Sequence, residues 1–152
     1  MFNLKIDTKD LQKFLDKISK VADQKAVDKL MTDITNDVTA KLLSRTVDRT
    51  PYRTHTLQRS WVGLKGKGSR PSAEDIKKHA QSLPVKTDHR TYKSEIGTNV
   101  DYALPVEYGH TKRNGVGWVD GFFMLTLAVE DTESEIAKIA APHIEKFLNK
   151  FL

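Results

Sequence analysis

Residues 27–42, VDKLMTDITNDVTAKL, decide the fold of this chain. Apolar side chains recur in them every three or four residues, which is the spacing of one face of an α-helix. These side chains are Val27, Leu30, Met31, Ile34, Val38 and Leu42. The positions between them are mostly Asp, Lys and Thr, which suit the solvent side. The pattern therefore predicts a long amphipathic helix with one buried face.

The same spacing extends toward the N-terminus through Leu11, Phe14, Leu15 and Ile18. A polar patch, ADQK, interrupts it, so we expect either one long helix or two helices with a break near residues 22–25. Before this region, residues 2–6 alternate between apolar and polar side chains, which predicts a short edge strand or an extended arm. Thr8 would then be the N-cap of the first helix.

Two strands are expected after Thr50-Pro51, where the residue before proline ends the helix. Alternation predicts them at residues 60–64 and 92–96. Residues 66–89 between them are rich in glycine, proline and charge, so we expect a long flexible loop in which residues 72–78 form a helical turn. The strands would pair as an antiparallel hairpin with a large basic tip.

The apolar positions become helical again from Gly121 to the end of the chain. The sequence therefore predicts a single α+β domain, residues 1–152. Its antiparallel β-sheet would pack against a long N-terminal helical region and a C-terminal helix.

Composition restricts the functional classes. The 152 residues are 38% hydrophobic and 30% charged, with no cysteine, so thiolate metal sites and disulfides are excluded. No apolar run reaches the roughly 20 residues that span a bilayer, and the start of the sequence has no signal-peptide pattern, so we expect neither membrane insertion nor secretion. No nucleotide-binding or nucleophile motif occurs and the five histidines are scattered, so we expect no cofactor, no metal and no enzyme.

The stretch YALPVEYGH, residues 102–110, is the best candidate for proton chemistry, because Glu107 and His110 form an acid–base pair if they face one cleft. No nucleophile or second carboxylate accompanies them. The alternative is that Tyr102 and Tyr108 are packed between sheet and helix and that Glu107 is bonded to backbone or to an arginine, such as Arg53 or Arg59. An exposed Glu107 would instead face a basic neighbouring subunit.

Charge is unevenly distributed along the chain. Residues 51–93 carry ten Lys or Arg and three Asp or Glu, whereas residues 94–152 carry five and nine. A basic middle and an acidic end suit either nucleic-acid binding or head-to-tail self-association. The candidates for a subunit interface or a DNA-facing surface are Lys65, Lys67, Arg70, Lys77, Lys78, Lys86 and Arg90.

An ordered set of motifs resembles the tail-completion, or head–tail joining, minor structural proteins of long-tailed bacteriophages and prophages. A first block, TPYRTHTLQRSW, follows the helical region; YALPVEYGH follows the hairpin; and GFF precedes the final helix. The residues that carry the resemblance are Pro51, Thr54, Leu57, Ser60, Trp61, Tyr102, Glu107, Tyr108, Gly109 and Phe123.

The resemblance implies a non-enzymatic subunit of the virion neck or tail, assembled in the host bacterial cytoplasm. It implies a homo-oligomeric ring, hexameric like the tail. A subunit that is a monomer in isolation is compatible with such a ring. The ring would lie at the head-proximal end of the tail tube around the DNA passage. Its partners would be the tail tube protein and the head-completion or connector proteins, with non-specific contact to phage DNA. A small basic nucleic-acid-binding protein, or an enzyme that acts on RNA, is the alternative.

Overall fold

A computed structural model describes residues 9–18, 20, 22–88 and 91–151, with only the backbone of residue 151. This part of the chain contains seven helices and two antiparallel two-stranded sheets. The elements are α1 (Lys9–Ile18), α2 (Gln24–Arg49), α3 (Thr56–Ser60), α4 (Ala73–Ser82), β1 (Lys86–Asp88), β2 (Thr91–Lys93), α5 (Ala103–Tyr108), β3 (Gly109–Thr111), β4 (Trp118–Asp120), α6 (Met124–Glu133) and α7 (Ile136–Phe151). The α+β class is confirmed. The expected strand or arm at residues 2–6 and the cap at Thr8 lie outside the described residues.

Helix α2 is the central element of the fold. Its 26 residues correspond to a length of about 39 Å. The Asp23 carboxylate accepts a hydrogen bond of 2.8 Å from the backbone amide of Ala26, which caps the helix N-terminus. Of the two alternatives for the N-terminal region, the structure shows two helices, because α1 ends at Ile18 and α2 begins at Gln24. Helices α4, α6 and α7 all pack against α2.

The buried apolar residues form two clusters along α2. The first joins its N-terminal half to α1 and α7 and includes Leu15, Ile18, Val27, Leu30, Met31, Ile34, Ala140 and Phe147. The second joins its C-terminal half to α3, α4, α5 and α6 and includes Leu43, Val47, Leu57, Trp61, Val62, Ile76, Ala80, Ala103, Met124, Leu125 and Val129. The predicted stripe is thus fully buried only as far as Ile34. Val38 and Leu42 are half-buried, and the buried face continues through Leu43 and Val47 instead.

The block after α2 is held by buried hydrogen bonds rather than by strand pairing. The Thr50 hydroxyl donates to the Thr46 carbonyl at 2.5 Å and accepts from the Trp61 indole N–H at 3.1 Å. The Gln58 amide donates to the Val47 carbonyl at 3.0 Å. These bonds satisfy groups at the C-terminal end of α2 that the helix itself leaves unpaired. Pro51 and Thr54 lie in the connection from α2 to α3 that these bonds hold, and Ser60 is the last residue of α3.

The prediction of a strand at residues 60–64 is wrong, because this segment is the end of α3 followed by a turn. Trp61 and Val62 are both buried, whereas neighbouring residues of a strand would point to opposite faces. Five alternating residues are too few to distinguish a strand from a helical turn that buries two adjacent side chains. The expected pairing of this segment with residues 92–96 is therefore also wrong, and β2 pairs with β1 instead.

The expected loop at residues 66–89 contains an ordered helix, α4, so the helical turn predicted at residues 72–78 is longer than expected and extends to Ser82. The predicted helical turn begins as expected at Ser72. The Ser72 hydroxyl accepts a hydrogen bond from the Asp75 amide, and the Asp75 carboxylate accepts one from the Ser72 amide. These two bonds form a capping box, which also lowers the pKa of Asp75. Ile76 and Ala80 bury α4 against α2. Upstream, the Arg59 guanidinium donates to the Gly66 and Ser69 carbonyls at 3.1 and 3.3 Å.

Tyr92, on β2, links the β1–β2 hairpin to α2. Its hydroxyl donates a hydrogen bond of 2.6 Å to the Asp28 carboxylate. Burial together with this bond raises the pKa of Tyr92 from 10.0 to about 12. The folded state therefore favours the neutral phenol. This contribution to stability is fully present below pH 10 and is lost as the pH rises toward 12.

We accordingly expect Tyr92→Phe to remove the highest-pH step from the ultraviolet tyrosinate titration of the folded protein. The variant should also lack the corresponding fall in stability between pH 10 and 12. Tyr52→Phe is the matched control, because the Tyr52 side chain is 69% exposed. An unchanged high-pH step in Tyr92→Phe would contradict the assignment.

Candidate assembly surface

Glu107 joins α5 to the start of α6. Its side chain is completely buried, and its carboxylate accepts hydrogen bonds from the backbone amides of Leu125 (2.9 Å) and Thr126 (2.8 Å) and from the Thr126 hydroxyl (2.6 Å). The first amides of a helix have no partner within it, and the positive end of the helix dipole favours a carboxylate. Glu107 therefore caps α6 from another element.

The need for this cap is visible in the local backbone. The residue at the N-cap position of α6, Phe123, has a left-handed conformation with φ +49° and makes no side-chain cap bond. The prediction that Glu107 bonds to backbone is thus confirmed, whereas the predicted ion pair with Arg53 or Arg59 is wrong. Backbone bonds from Phe122 to the Val106 carbonyl (2.8 Å) and from Phe123 to the Glu107 carbonyl (3.0 Å) strengthen the same junction.

Two glycines allow the backbone to come close at this junction. A Cβ atom on Gly121 would lie 2.2 Å from the Glu107 carbonyl oxygen. Gly109 has φ +92°, and a Cβ atom there would lie 2.6 Å from the Val119 carbonyl oxygen. Any larger residue would separate α5 from the segment that enters α6. Gly109 also begins β3, so the hairpin that follows starts from a closely packed base.

Strands β3 and β4 form a hairpin that projects from the body of the protein, and we call residues 109–120 the β3–β4 hairpin. Its register pairs Gly109 with Asp120 and Thr111 with Trp118. Every residue from 110 to 120 is exposed, on both faces of the sheet. The Gly115 amide donates to the Lys112 carbonyl at 2.8 Å to close the turn.

Exposed aromatic side chains lie on the hairpin, within or directly before α5 and in the segment that enters α6, and we call them the aromatic face. They are Tyr102, Tyr108, Trp118, Phe122 and Phe123, with 41–56% of each side chain exposed. The rings of Tyr108 and Phe123 pack edge to face, with centroids 6.4 Å apart. The prediction that Tyr102 and Tyr108 are packed between sheet and helix is therefore wrong. Exposed apolar clusters of this kind are typical of protein-binding surfaces.

An open groove lies beside the N-terminal end of α5, and we call it the α5 groove. Its volume is about 760 Å³, and its apolar lining includes Leu64, Leu83, Val100 and Leu104. Two acids, Glu95 and Asp101, and one lysine, Lys65, also line it. The remaining titratable group, His79, is half-buried there, and burial lowers its pKa.

The basic candidates have different environments. Arg70 pairs with Asp48 of α2, and Lys78 pairs with Glu74 at 3.1 Å on α4, so part of the basic charge is neutralised within the chain. The side chains of Lys65, Lys67, Lys77 and Lys86 are exposed and form no salt bridge within the described part of the chain, whereas Arg90 lies outside that part. Their role at an interface or near DNA stays a prediction.

The acidic end is also partly neutralised, since Arg45 pairs with Glu135 and Arg49 with Asp131. Both arginines are on α2 and both acids are near the junction of α6 and α7. The uneven distribution of charge in the sequence therefore does not translate directly into one basic and one acidic surface.

The arrangement does not bring the acid–base candidates together. Glu107 has no exposed surface, whereas His110 is exposed on β3, so they do not face one cleft. Within residues 9–18, 20, 22–88 and 91–151, no group of three His, Cys, Asp or Glu side chains is placed to hold a metal ion. In the same part of the chain, no helix is both long and apolar enough to cross a bilayer.

The exposed aromatic face and the projecting hairpin are features of a subunit that contacts other proteins. A family model described as "Bacteriophage HK97-gp10, putative tail-component" matches residues 9–109. The match covers more than half of the chain, which therefore belongs to the HK97-gp10-like family of phage tail components. The resemblance drawn from the sequence is confirmed at this level, and the protein has a structural role in the virion tail. Neither the curated proteins nor the solved structures contain a match to the chain.

Two exposed apolar side chains of the hairpin, Val116 (73%) and Trp118 (56%), are not singled out by the sequence. Residues 111–117, TKRNGVG, are mostly polar and glycine-containing, which is typical of a loop. The signal that could have found the hairpin is Asn114-Gly115, a dipeptide typical of tight β-turns. The Asn114 side chain indeed accepts a hydrogen bond of 3.0 Å from the Val116 amide.

Proposed function

We propose that this tail component is a tail-completion subunit that forms a hexameric ring at the head-proximal end of the tail tube and helps to join head to tail. The observation that carries the proposal is the aromatic face, because five exposed aromatic side chains on elements that meet at one closely packed junction are costly to leave in water. The family gives the setting, which is a phage tail.

The proposal includes no catalytic step. The best proton-transfer candidate, Glu107, is committed to capping α6 with both carboxylate oxygens. A carboxylate held in this way stabilises a helix and is not open to a substrate. This supports a structural protein over the alternative of an enzyme that acts on RNA.

The proposed partners are further copies of the chain, the tail tube protein and the head-completion or connector proteins. Assembly takes place in the host bacterial cytoplasm. Exposed lysines on the basic segment, such as Lys67 and Lys77, support a non-specific contact with DNA in the passage. Such a contact supplements the structural role and replaces the alternative of a dedicated nucleic-acid-binding protein.

The test is deletion of the gene from the phage or prophage that encodes it. We expect DNA-filled heads and complete tail tubes to accumulate separately, with infectious titre restored by the wild-type gene supplied in trans. Electron microscopy with antibody labelling of complemented particles should place the protein at the neck. Normally joined, infectious particles without the protein would overturn the proposal.

A further inference from the structure

We propose that the β3–β4 hairpin of one copy inserts into the α5 groove of the next copy, so that these two surfaces form the ring interface. The inference rests on the proposed function in assuming that copies of the chain associate, and it adds which surfaces meet. It makes the interface heterologous, because the hairpin and the groove are different surfaces of one subunit.

The hairpin lacks the packing that usually stabilises a small sheet. A two-stranded hairpin is marginally stable in water unless one face is covered, and both faces of this one are exposed. Apolar side chains nevertheless project from it at Val116, Trp118 and Val119. Its base is anchored by the close approach at Gly109 and Gly121, so the hairpin is presented in a defined direction. These features are those of an arm that docks into another surface.

The α5 groove provides the apolar surface that the hairpin lacks. Its lining is mainly apolar, and its volume of about 760 Å³ leaves room for side chains such as Val116 and Trp118. No residue of the hairpin lines the groove of its own chain. One subunit therefore presents both surfaces at the same time, and copies can be joined head to tail until the ring closes.

Complementary charge favours a second copy as the occupant. The tip of the hairpin carries two exposed cations, Lys112 and Arg113. The groove presents two acids, Glu95 and Asp101, against one cation, Lys65. Opposite charges at the tip and in the groove fix the direction of insertion and favour encounter between copies. Because both partners belong to one sequence, no additional protein is needed to complete the interface.

The absence of cysteine from the sequence permits a direct test by disulfide cross-linking. We would combine Val116→Cys at the hairpin tip with Asn99→Cys in the groove lining, in concentrated protein and in complemented phage particles. Under oxidation, the double variant should give a ladder of covalent oligomers that ends at the number of copies in the ring. A mixture of the two single variants should give dimers only.

Matched controls separate this contact from others. Val116→Cys paired with Lys25→Cys, an exposed residue of α2, should give no ladder. Dimers of the Val116→Cys variant alone would show a symmetric contact and would overturn the inference. The absence of cross-links between residues 116 and 99 in both preparations would also overturn it. Failure of the proposed function can be distinguished from failure of this inference. A gene deletion that leaves particles normal overturns the role at the neck, whereas a ladder of cross-linked oligomers still supports the contact between hairpin and groove. A ladder that ends at a number other than six overturns only the hexamer.

Discussion

Replacing Glu107 by alanine is expected to lower the free energy of unfolding by about 3–5 kcal/mol. The substitution leaves the buried amide of Leu125 and the amide of Thr126 without an acceptor, and each such loss costs about 1–3 kcal/mol. It also opens a cavity where a fully buried side chain lay. Glu107→Gln should cost less, about 2 kcal/mol, because the amide oxygen still accepts while the amide nitrogen faces a donor.

Denaturant unfolding followed by far-ultraviolet circular dichroism measures both effects. The matched control is Glu130→Gln, which changes an exposed acid on the same helix and should stay within about 0.5 kcal/mol of the wild type. If Glu107→Ala unfolds at the same denaturant concentration as the control, the carboxylate is not the cap of α6. The loss should also reduce assembly, because the aromatic face is built on the α5–α6 junction.

The second large effect is expected for Gly121→Ala, which should destabilise the protein by about 3 kcal/mol. The new Cβ atom would lie 2.2 Å from the Glu107 carbonyl oxygen and 2.7 Å from the Gly109 amide nitrogen. These are backbone atoms, so no side-chain rotation relieves the collision. The bonds from Phe122 and Phe123 to the end of α5 would have to break or lengthen.

Gly97→Ala is the control of identical chemistry. No atom lies within 4 Å of a Cβ built on Gly97, and its φ is outside the left-handed region. We expect a change of about 0.5 kcal/mol in either direction, since alanine restricts the unfolded chain without a clash. Equal thermal midpoints for Gly121→Ala and Gly97→Ala would show that α5 and the start of α6 are not in close contact.

The helical part of the fold was predictable because its signals are local. The 3.6-residue spacing located α2, the polar patch located the break before it, and Ser72 followed by Asp75 marked the start of α4. The strand predicted at residues 60–64 fails because Trp61 bonds to Thr50 and packs, with Val62, in a cluster whose other members come mostly from distant parts of the chain. Alternation of apolar and polar residues over five positions carries no information about such contacts.

The candidate surface was predictable only in part. YALPVEYGH was recognisable as a structural signature, and a backbone partner for Glu107 was one of the stated alternatives. That partner is 18 residues further along the chain, and only the folded structure shows that α6 lacks its own cap. The exposure of Tyr102 and Tyr108 was not predictable. Aromatic residues occur both in cores and on protein-binding surfaces, and the neighbouring sequence does not distinguish the two positions.

The two apolar clusters along α2 divide its packing partners into two units that share one helix. Between the clusters, the hydroxyls of Thr35 and Thr39 bond back to carbonyls of their own helix at 2.7 Å, an arrangement that often bends helices. Helices α1 and α7 belong to one unit, whereas the aromatic face, the hairpin and the groove are carried by the other. Local opening of α1 and α7 would therefore leave in place the elements that carry the hairpin and the α5 groove. In the proposed ring, such a subunit would yield at its α1–α7 end under the mechanical load of a DNA-filled particle while its contact with the next copy is kept.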